Sequence, residues 1–329
     1  MKKFNILLCL IIVGTLLLTT GQATIKKVAQ TGLQFLKVDV GARASAMGGS
    51  YMMVGQDASA MFYNPAGMAR MGSMIDVFVT RTQWFAGINY DAGAVAFNAE
   101  KWGVFGISFI NSSYGDDIIG TQYNVDSPSG YIETGNLNVS ALAVGVSYAR
   151  AMTDKFTIGG QIKFAYQNLG ENLDDNDNID KNEVSGLAYD FGTMFYPGFK
   201  SFRIGMAIRN FSPEFKYVTE GFELPLTFTL GFAMDVLDFL GDHENPLLVS
   251  IDAVHPRDYT ERINVGLEYN FMNMIALRGG YKFNHDVEGL TGGIGFKKDF
   301  GAFAVDFGYA YSDCEYFDSV NRLAFGVSF

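Results

Sequence analysis

Beyond about residue 74 the chain alternates hydrophobic and polar positions with a period of two, in short segments broken by turn residues. In the segment 262–270, Ile263, Val265, Leu267 and Tyr269 fall on one side, and Arg262, Asn264, Gly266, Glu268 and Asn270 on the other. Phe303, Val305, Phe307, Tyr309 and Tyr311 alternate in the same way with Ala302, Ala304, Asp306, Gly308 and Ala310. Strict alternation predicts strands with two unlike faces. Such segments lie near 74–83, 87–98, 102–111, 137–149, 155–168, 183–196, 202–210, 224–234, 247–255, 261–270, 273–283, 289–298, 301–311 and 320–329. The tally is about fourteen, an even number of strands near ten residues each, as single-chain outer-membrane barrels require.

The character of the two faces separates a membrane barrel from a soluble sandwich. One face is uniformly large and apolar. The other mixes Gly, Ala, Ser and Thr with isolated charges, among them Lys163, Arg203, Arg209, Asp252, Arg262, Glu268, Arg278, Lys282, Asp306 and Arg322. A sandwich would turn its polar face to bulk water and carry more Lys and Glu there. Small residues with sparse charges of both signs predict a narrow lumen in which inward charges pair. The expected fold is therefore an all-β transmembrane barrel over residues 74–329. Tight links are expected at 152–154, 272–273 and 299–301. Longer ones, expected to face outward, are 112–136, 169–182, 212–223, 235–245 and 312–319. The carboxyl end alternates Leu323, Phe325, Val327 and Phe329 and closes on an aromatic side chain. It resembles the terminal-strand signal read by the barrel-assembly machinery of bacterial outer membranes, and Phe325, Val327 and Phe329 are its expected carriers.

The amino end differs. Lys2 and Lys3 precede an apolar stretch from Phe4 to Leu18, followed by small residues at Gly21 and Ala23. This predicts a secretory signal over residues 1–23, cut after Ala23. A retained anchor is the alternative, but the run is short for a spanning helix of about 20 residues. Residues 24–73 do not read as a barrel strand and are expected to form a plug. Gly48-Gly49 permits a tight bend, and Tyr51–Val54 is expected as a short strand. Asp57 suits the cap of a helical turn over Ala58–Phe62. Asn64 and Pro65 suit the cap and first position of a second turn, and Gly67 a close backbone approach. Arg43, the one charge between Val40 and Gly49, is expected to anchor the plug on a lumen acid such as Asp252, Glu268 or Asp306.

Composition narrows the function. The chain has 329 residues, a net charge of −11, 48% hydrophobic and 15% aromatic residues, and 38 glycines. No basic patch tracks nucleic acid. Without the leader only Cys314 remains, so neither an intrachain disulfide nor a cysteine metal site forms, and Cys314 reads as a loop thiol. His243, His255 and His285 lack metal-ligand spacing. The run Asp174–Glu183 looks like a calcium loop, but Ile179 stands where the turn needs glycine and Ser185 where it needs glutamate, so a solvated acidic loop is the preferred reading. No nucleophile elbow, Ser-His-Asp order or phosphate loop is present. The reading is a non-enzymatic protein without metal or cofactor.

The runs Val40-Gly41-Ala42-Arg43-Ala44, Met47-Gly48-Gly49, Asp57-Ala58-Ser59-Ala60 and Asn64-Pro65-Ala66-Gly67-Met68-Ala69 resemble the PorV/PorQ family of outer-membrane proteins. Asp57 to Gly67 is also similar to the wider superfamily of fatty-acid transporters, the FadL-like barrels. This resemblance implies a fourteen-stranded barrel with an N-terminal hatch in the outer membrane of a Gram-negative-type bacterium. It also implies service to a type IX secretion system, as a docking or shuttle partner for the C-terminal domains of secreted cargo and for a large translocon barrel. The alternative it leaves open is a transporter of hydrophobic small molecules. Implied partners are outer-membrane lipid, translocon, cargo and the barrel-assembly machinery.

Overall fold

The computed structural model describes residues 30–115, 118–173, 179–217, 220–241 and 245–329. The expected leader, 1–23, and the core of the acidic run, 174–178, lie outside them. Among the described residues eighteen strands follow one another. They are β1 (Ile75–Gln83), β2 (Asn89–Asn98), β3 (Val104–Ser113), β4 (Ile119–Tyr123), β5 (Tyr131–Asn136), β6 (Ser140–Ala151), β7 (Phe156–Leu173), β8 (Ile179–Phe195) and β9 (Arg203–Phe211). Then come β10 (Phe215–Lys216), β11 (Gly221–Phe222), β12 (Thr227–Asp235), β13 (Leu247–Pro256), β14 (Arg262–Phe271), β15 (Ile275–Phe283), β16 (Glu288–Asp299), β17 (Ala304–Cys314) and β18 (Val320–Ser328). Fourteen of them close an antiparallel barrel in which β1 pairs with β18, and β4–β5 and β10–β11 are hairpins outside the ring. Closure satisfies every ladder, which the hydrocarbon core demands of any spanning sheet.

The faces separate along each strand. Phe105, Ile107 and Phe109 of β3 are exposed, while Val104, Gly106, Ser108 and Ile110 are buried. Exposed Leu323 and Phe325 alternate with buried Arg322 and Ala324 on β18, and Phe329 is exposed beyond it. The apolar face meets lipid, and the small and charged face meets the interior. No helix among the described residues is long and apolar enough to cross a membrane; the strands make the crossing.

Links differ between the two ends. At one end lie 99–103, 152–155, 196–202, 236–246, 272–274 and 300–303, and the start of the first barrel strand meets the end of the last there too, with the Met74 amide donating to the Phe329 carbonyl. At the other lie 84–88, 114–139, 212–226, 257–261, 284–287 and 315–319, with the far ends of β7 and β8 at Leu173 and Ile179. Short turns face the periplasm and longer loops the exterior in such barrels, so we call these the inner and outer mouths. The link 235–245, expected outside, belongs to the inner mouth. β12 runs inward, and Asp235 there caps a 3-10 turn, Val236–Phe239, by accepting from the Leu237 amide. The expected loop 169–182 is mostly strand. β7 and β8 run on past a bulge between Asn168 and Glu171, so their ladder continues to Leu173 and Ile179. A ribbon that has left the lipid no longer needs an apolar face, which hides it from alternation. Cys314, read as a loop thiol, ends β17 and is buried.

Residues 30–73 run inside the ring and are here called the inner segment. Its amino end sits at the outer mouth, where the Gly32 amide donates to the Glu223 carbonyl. Its carboxyl end joins β1 at the inner mouth. Between them lie α1 (Ala42–Ala46) and 3-10 turns over Gln34–Lys37, Ala58–Phe62 and Pro65–Arg70. Asp57 caps one turn by accepting from the Ser59 amide (2.9 Å). Asn64 caps the next by accepting from Ala66 (3.1 Å), with Pro65 at its first position. Tyr51–Val54, expected as a strand, is a turn closed by the Val54 amide on the Tyr51 carbonyl (2.9 Å). Lumen charges, not a ladder, engage three more of its backbone groups. Asp252 accepts from the Tyr51 and Met52 amides (both 3.0 Å), and Arg203 donates to the Met53 carbonyl (2.6 Å).

Candidate functional site

The interface between the inner segment and the barrel is layered on its β14–β17 side. The middle layer has no side chains. Gly266, Gly280, Gly293 and Gly308 stand in neighbouring strands and face inward, and α1 with the Met47–Gly49 turn lies directly on them. A methyl group on Gly280 would overlap the backbone of Met47 and Gly48. The turn needs Gly48 and Gly49 because both have positive φ, 66° and 74°, where other residues are strained. Gly67 meets a similar constraint, with the Gly55 carbonyl where a side chain would begin.

Toward the inner mouth lies a charged layer. Arg43 donates through Nε and Nη2 to the two carboxylate oxygens of Glu268 (2.7 and 2.6 Å), and Arg278 donates to the same carboxylate (2.6 Å). Glu268 is 1% exposed. Two guanidiniums on one buried carboxylate meet the condition under which a buried ion pair holds, namely full hydrogen bonding. Of the three acids open to Arg43 in the sequence, Glu268 receives it. Asp306 lines the adjoining cavity, and Asp252 lies in the outer half. That cavity, about 490 Å³, also presents Asp57, Asp76 and Lys297.

Toward the outer mouth lies a second charged layer. Lys282 bridges Asp39 (2.6 Å) and Glu288 (2.8 Å). Arg322, fully buried, reaches the Asp39 carbonyl and Ser312. Two smaller cavities lie here, about 80 and 280 Å³. They share no lining residue with the inner one. At the rim, Thr31, Gln34 and Lys37 converge on Asp258 (2.7, 3.0 and 2.9 Å). Burial would raise the Asp258 carboxyl, but the Lys37 and Thr31 hydrogen bonds outweigh it and hold it below the usual carboxylate range. Burial lowers the Lys37 ammonium, and Asp258 restores part of the loss. In the loop beside them, burial and the Lys282 and Arg262 charges push the His285 imidazole down to about 3, so it is neutral at pH 7. Arg262 is a rim residue, stacked over the Tyr259 ring at 4.1 Å.

The opposite wall is sealed by methionine. Met61 and Met68 fill the space left by Gly106, Met53 that left by Gly205, and Met52 that left by Gly231. Asn64 and Pro65 sit on Gly192 and Gly159. Arg209 donates to the Phe62 carbonyl (2.6 Å) and lies over the Tyr63 ring. All ten lumen charges singled out in the sequence stand at inward positions of their strands, Arg262 at the rim. Asp39, Asp76, Asp190, Asp258 and Glu288, which complete the network, were not among them. Asp76 and Asp190 stand at inward positions of alternating strands and were open to the same argument. Asp39 and Asp258 lie in irregular backbone, where periodicity says nothing.

Chemically, among the described residues, this is a lumen interrupted by ion pairs and backbone contact, with water-sized to ligand-sized spaces on either side.

A family model described as type IX secretion system protein PorV matches residues 21–255. No curated protein matches the chain by sequence. By structure the chain is similar to the toluene transporter TbuX of Ralstonia pickettii (16% identity, TM-score 0.53, covering 88% of this chain and 98% of that one). It is also similar to the Pseudomonas putida toluene transporter TodX (13%, 0.55, 88% and 97%) and to a Pseudomonas aeruginosa FadL homologue (12%, 0.52, 88% and 98%). At these identities the likeness establishes the FadL-like barrel fold.

Proposed function

The chain belongs to the PorV family of type IX secretion system proteins, and from that membership we propose that this outer-membrane barrel is a non-enzymatic docking or shuttle component for secreted proteins. The observation that carries the reading is the closed lumen. A conduit for hydrophobic molecules, as in the toluene transporters of like fold, calls for a continuous apolar path. Here the Arg43–Glu268–Arg278 and Asp39–Lys282–Glu288 layers flank a glycine layer that meets the backbone of the Met47–Gly49 turn and the Ala42 and Ala46 methyls of α1. Lumen desolvation of that kind favours a plug that stays in place while the outer loops do the work. In this reading residues 24–73 are the plug and Arg43 is its anchor. The Asp57, Asn64, Pro65 and Gly67 positions fix its turns. Phe325, Val327 and Phe329 present the closing strand to the assembly machinery. The partners are a translocon barrel and the C-terminal domains of cargo. Affinity purification of the full chain from its native membrane tests the proposal. Recovery of a very large barrel together with secreted proteins supports it, and their absence sinks it. Uptake of toluene or a fatty acid into liposomes holding the purified chain would instead favour transport.

A further inference from the structure

The outer rim is uneven, and its tallest part carries a hairpin that belongs to no barrel strand. β4 and β5 pair with each other, Tyr123 with Tyr131 and Gln122 with Ile132, and form a separate two-stranded sheet. Its root, Leu137, packs over Gly170 where β7 bends beyond the membrane. All six residues of β5 are exposed, and Tyr123 and Val125 at the tip are 81% and 76% exposed. Ile119, Tyr131 and Ile132 add apolar surface along the strands. A two-stranded sheet is marginal by itself in water, and an exposed apolar edge is ordinarily blunted by lysine or proline within the strand. Neither device is used within β4 or β5. Residues 118–139 contain no Lys or Arg, and their charges are Asp126 and Glu133. The adjoining wall adds Glu171 and Glu183 against Lys181.

From these features we infer that the β4–β5 hairpin is a docking edge that receives an extended segment of a partner protein by strand addition, the segment alternating apolar with basic side chains. The inference rests on the docking reading and names the chemistry of its partner. Main-chain bonds along the edge supply affinity that no single side chain dictates. Tyr123, Val125, Tyr131 and Ile132 supply the apolar contacts, and the acids set the sign of the partner and make association sensitive to salt.

The test uses the detergent-solubilised full chain and short fluorescent peptides followed by anisotropy. The probes alternate valine with lysine, valine with glutamate, or valine with lysine interrupted by proline. A variant replaces residues 119–136 with a short Gly-Ser link. The barrel should survive the change, checked by unaltered heat-modifiable gel mobility, because the hairpin is outside the ring. The valine-lysine peptide should bind the wild type at least about tenfold more tightly than the other two. That advantage should disappear in the variant and shrink in high salt. Equal binding to the variant overturns the inference. So does equal binding of the proline peptide, which would leave charge alone as the cause, and so does saturation of the hairpin by anionic lipid in nanodiscs. If native-membrane capture recovers partners equally with and without the hairpin, the inference falls and the docking reading stands. If the wild type captures none, the docking reading itself falls.

Discussion

The two walls of this barrel face the same inner segment and treat it in different ways. From β14 to β17 the wall removes its side chains, brings backbone against backbone, and locks the contact with charged layers above and below. From β3 to β12 it leaves glycine sockets that methionines fill, and it continues past the membrane in β7 and β8. One wall holds the segment by geometry that admits no substitute. The other accepts it with flexible thioethers, which adapt to irregular gaps, and spends its length on outward reach. Rigidity and reach are thus assigned to opposite sides of one sheet.

The largest effect expected from breaking this contrast is at Gly280. Gly280→Leu should prevent the Met47–Gly49 turn from seating, exposing residues 31–71 to protease in detergent. Gly279→Leu, one residue away with nothing within 4 Å of its would-be side chain, should leave protection unchanged. Equal sensitivity of both variants would refute the role of the glycine layer. Next is Glu268→Ala, which leaves Arg43 and Arg278 without their carboxylate and should cost about 3–5 kcal/mol, read as a lower unfolding midpoint in denaturant. Arg43→Ala should cost less, about 1–2 kcal/mol, because its side chain is 34% exposed and Arg278 stays on Glu268. It should still loosen the segment, and undiminished protease resistance would count against an anchoring role. On the methionine wall, Met53→Leu should cost under about 1.5 kcal/mol. A loss as large as that of Glu268→Ala would erase the distinction between the walls.

The smallest effect concerns pH at the outer rim. The folded Asp258 carboxyl lies below its unfolded value, so its contribution is complete above about pH 4 and is lost as pH falls through the lowered folded value. The His285 imidazole resists protonation down to about 3 when folded. The unfolded ring takes up its proton near pH 6.5, so stability declines from there downward. Both groups act in one direction. Amide hydrogen exchange over residues 31–37, corrected for its intrinsic pH dependence, should accelerate on acidification, and a corrected rate independent of pH between about 7 and 3 would contradict the rim contacts.

The barrel was legible in the sequence because lipid and lumen impose opposite chemistry on adjacent residues, so Ile263 to Tyr269 or Leu323 to Phe329 can be read in one pass. The turns at Asp57 and Asn64-Pro65 were legible because capping is local. The partner of Arg43 was not. Asp252, Glu268 and Asp306 were equal in the sequence, and only the path of the inner segment across the β14–β17 wall brings Glu268 beneath it. Tyr51–Val54 misled for the same reason, since apolar residues that fill a lumen look like those of a strand until Asp252 and Arg203 claim their backbone. The extensions of β7 and β8 were hidden because alternation is a signature of the membrane, and they lie beyond it.

Thr31 at the outer mouth and Met71 at the inner one have a consequence for how the molecule is made. The inner segment must already lie along the axis when β1 meets β18, because a closed ring offers no side entrance. The chain at Thr31 and Gly32 is held on the exterior side of that ring, by Asp258 and the Glu223 carbonyl. By the same geometry, an epitope inserted beside Gln30 should be read by antibody on intact cells, and one joined after Phe329 only once the outer membrane is opened.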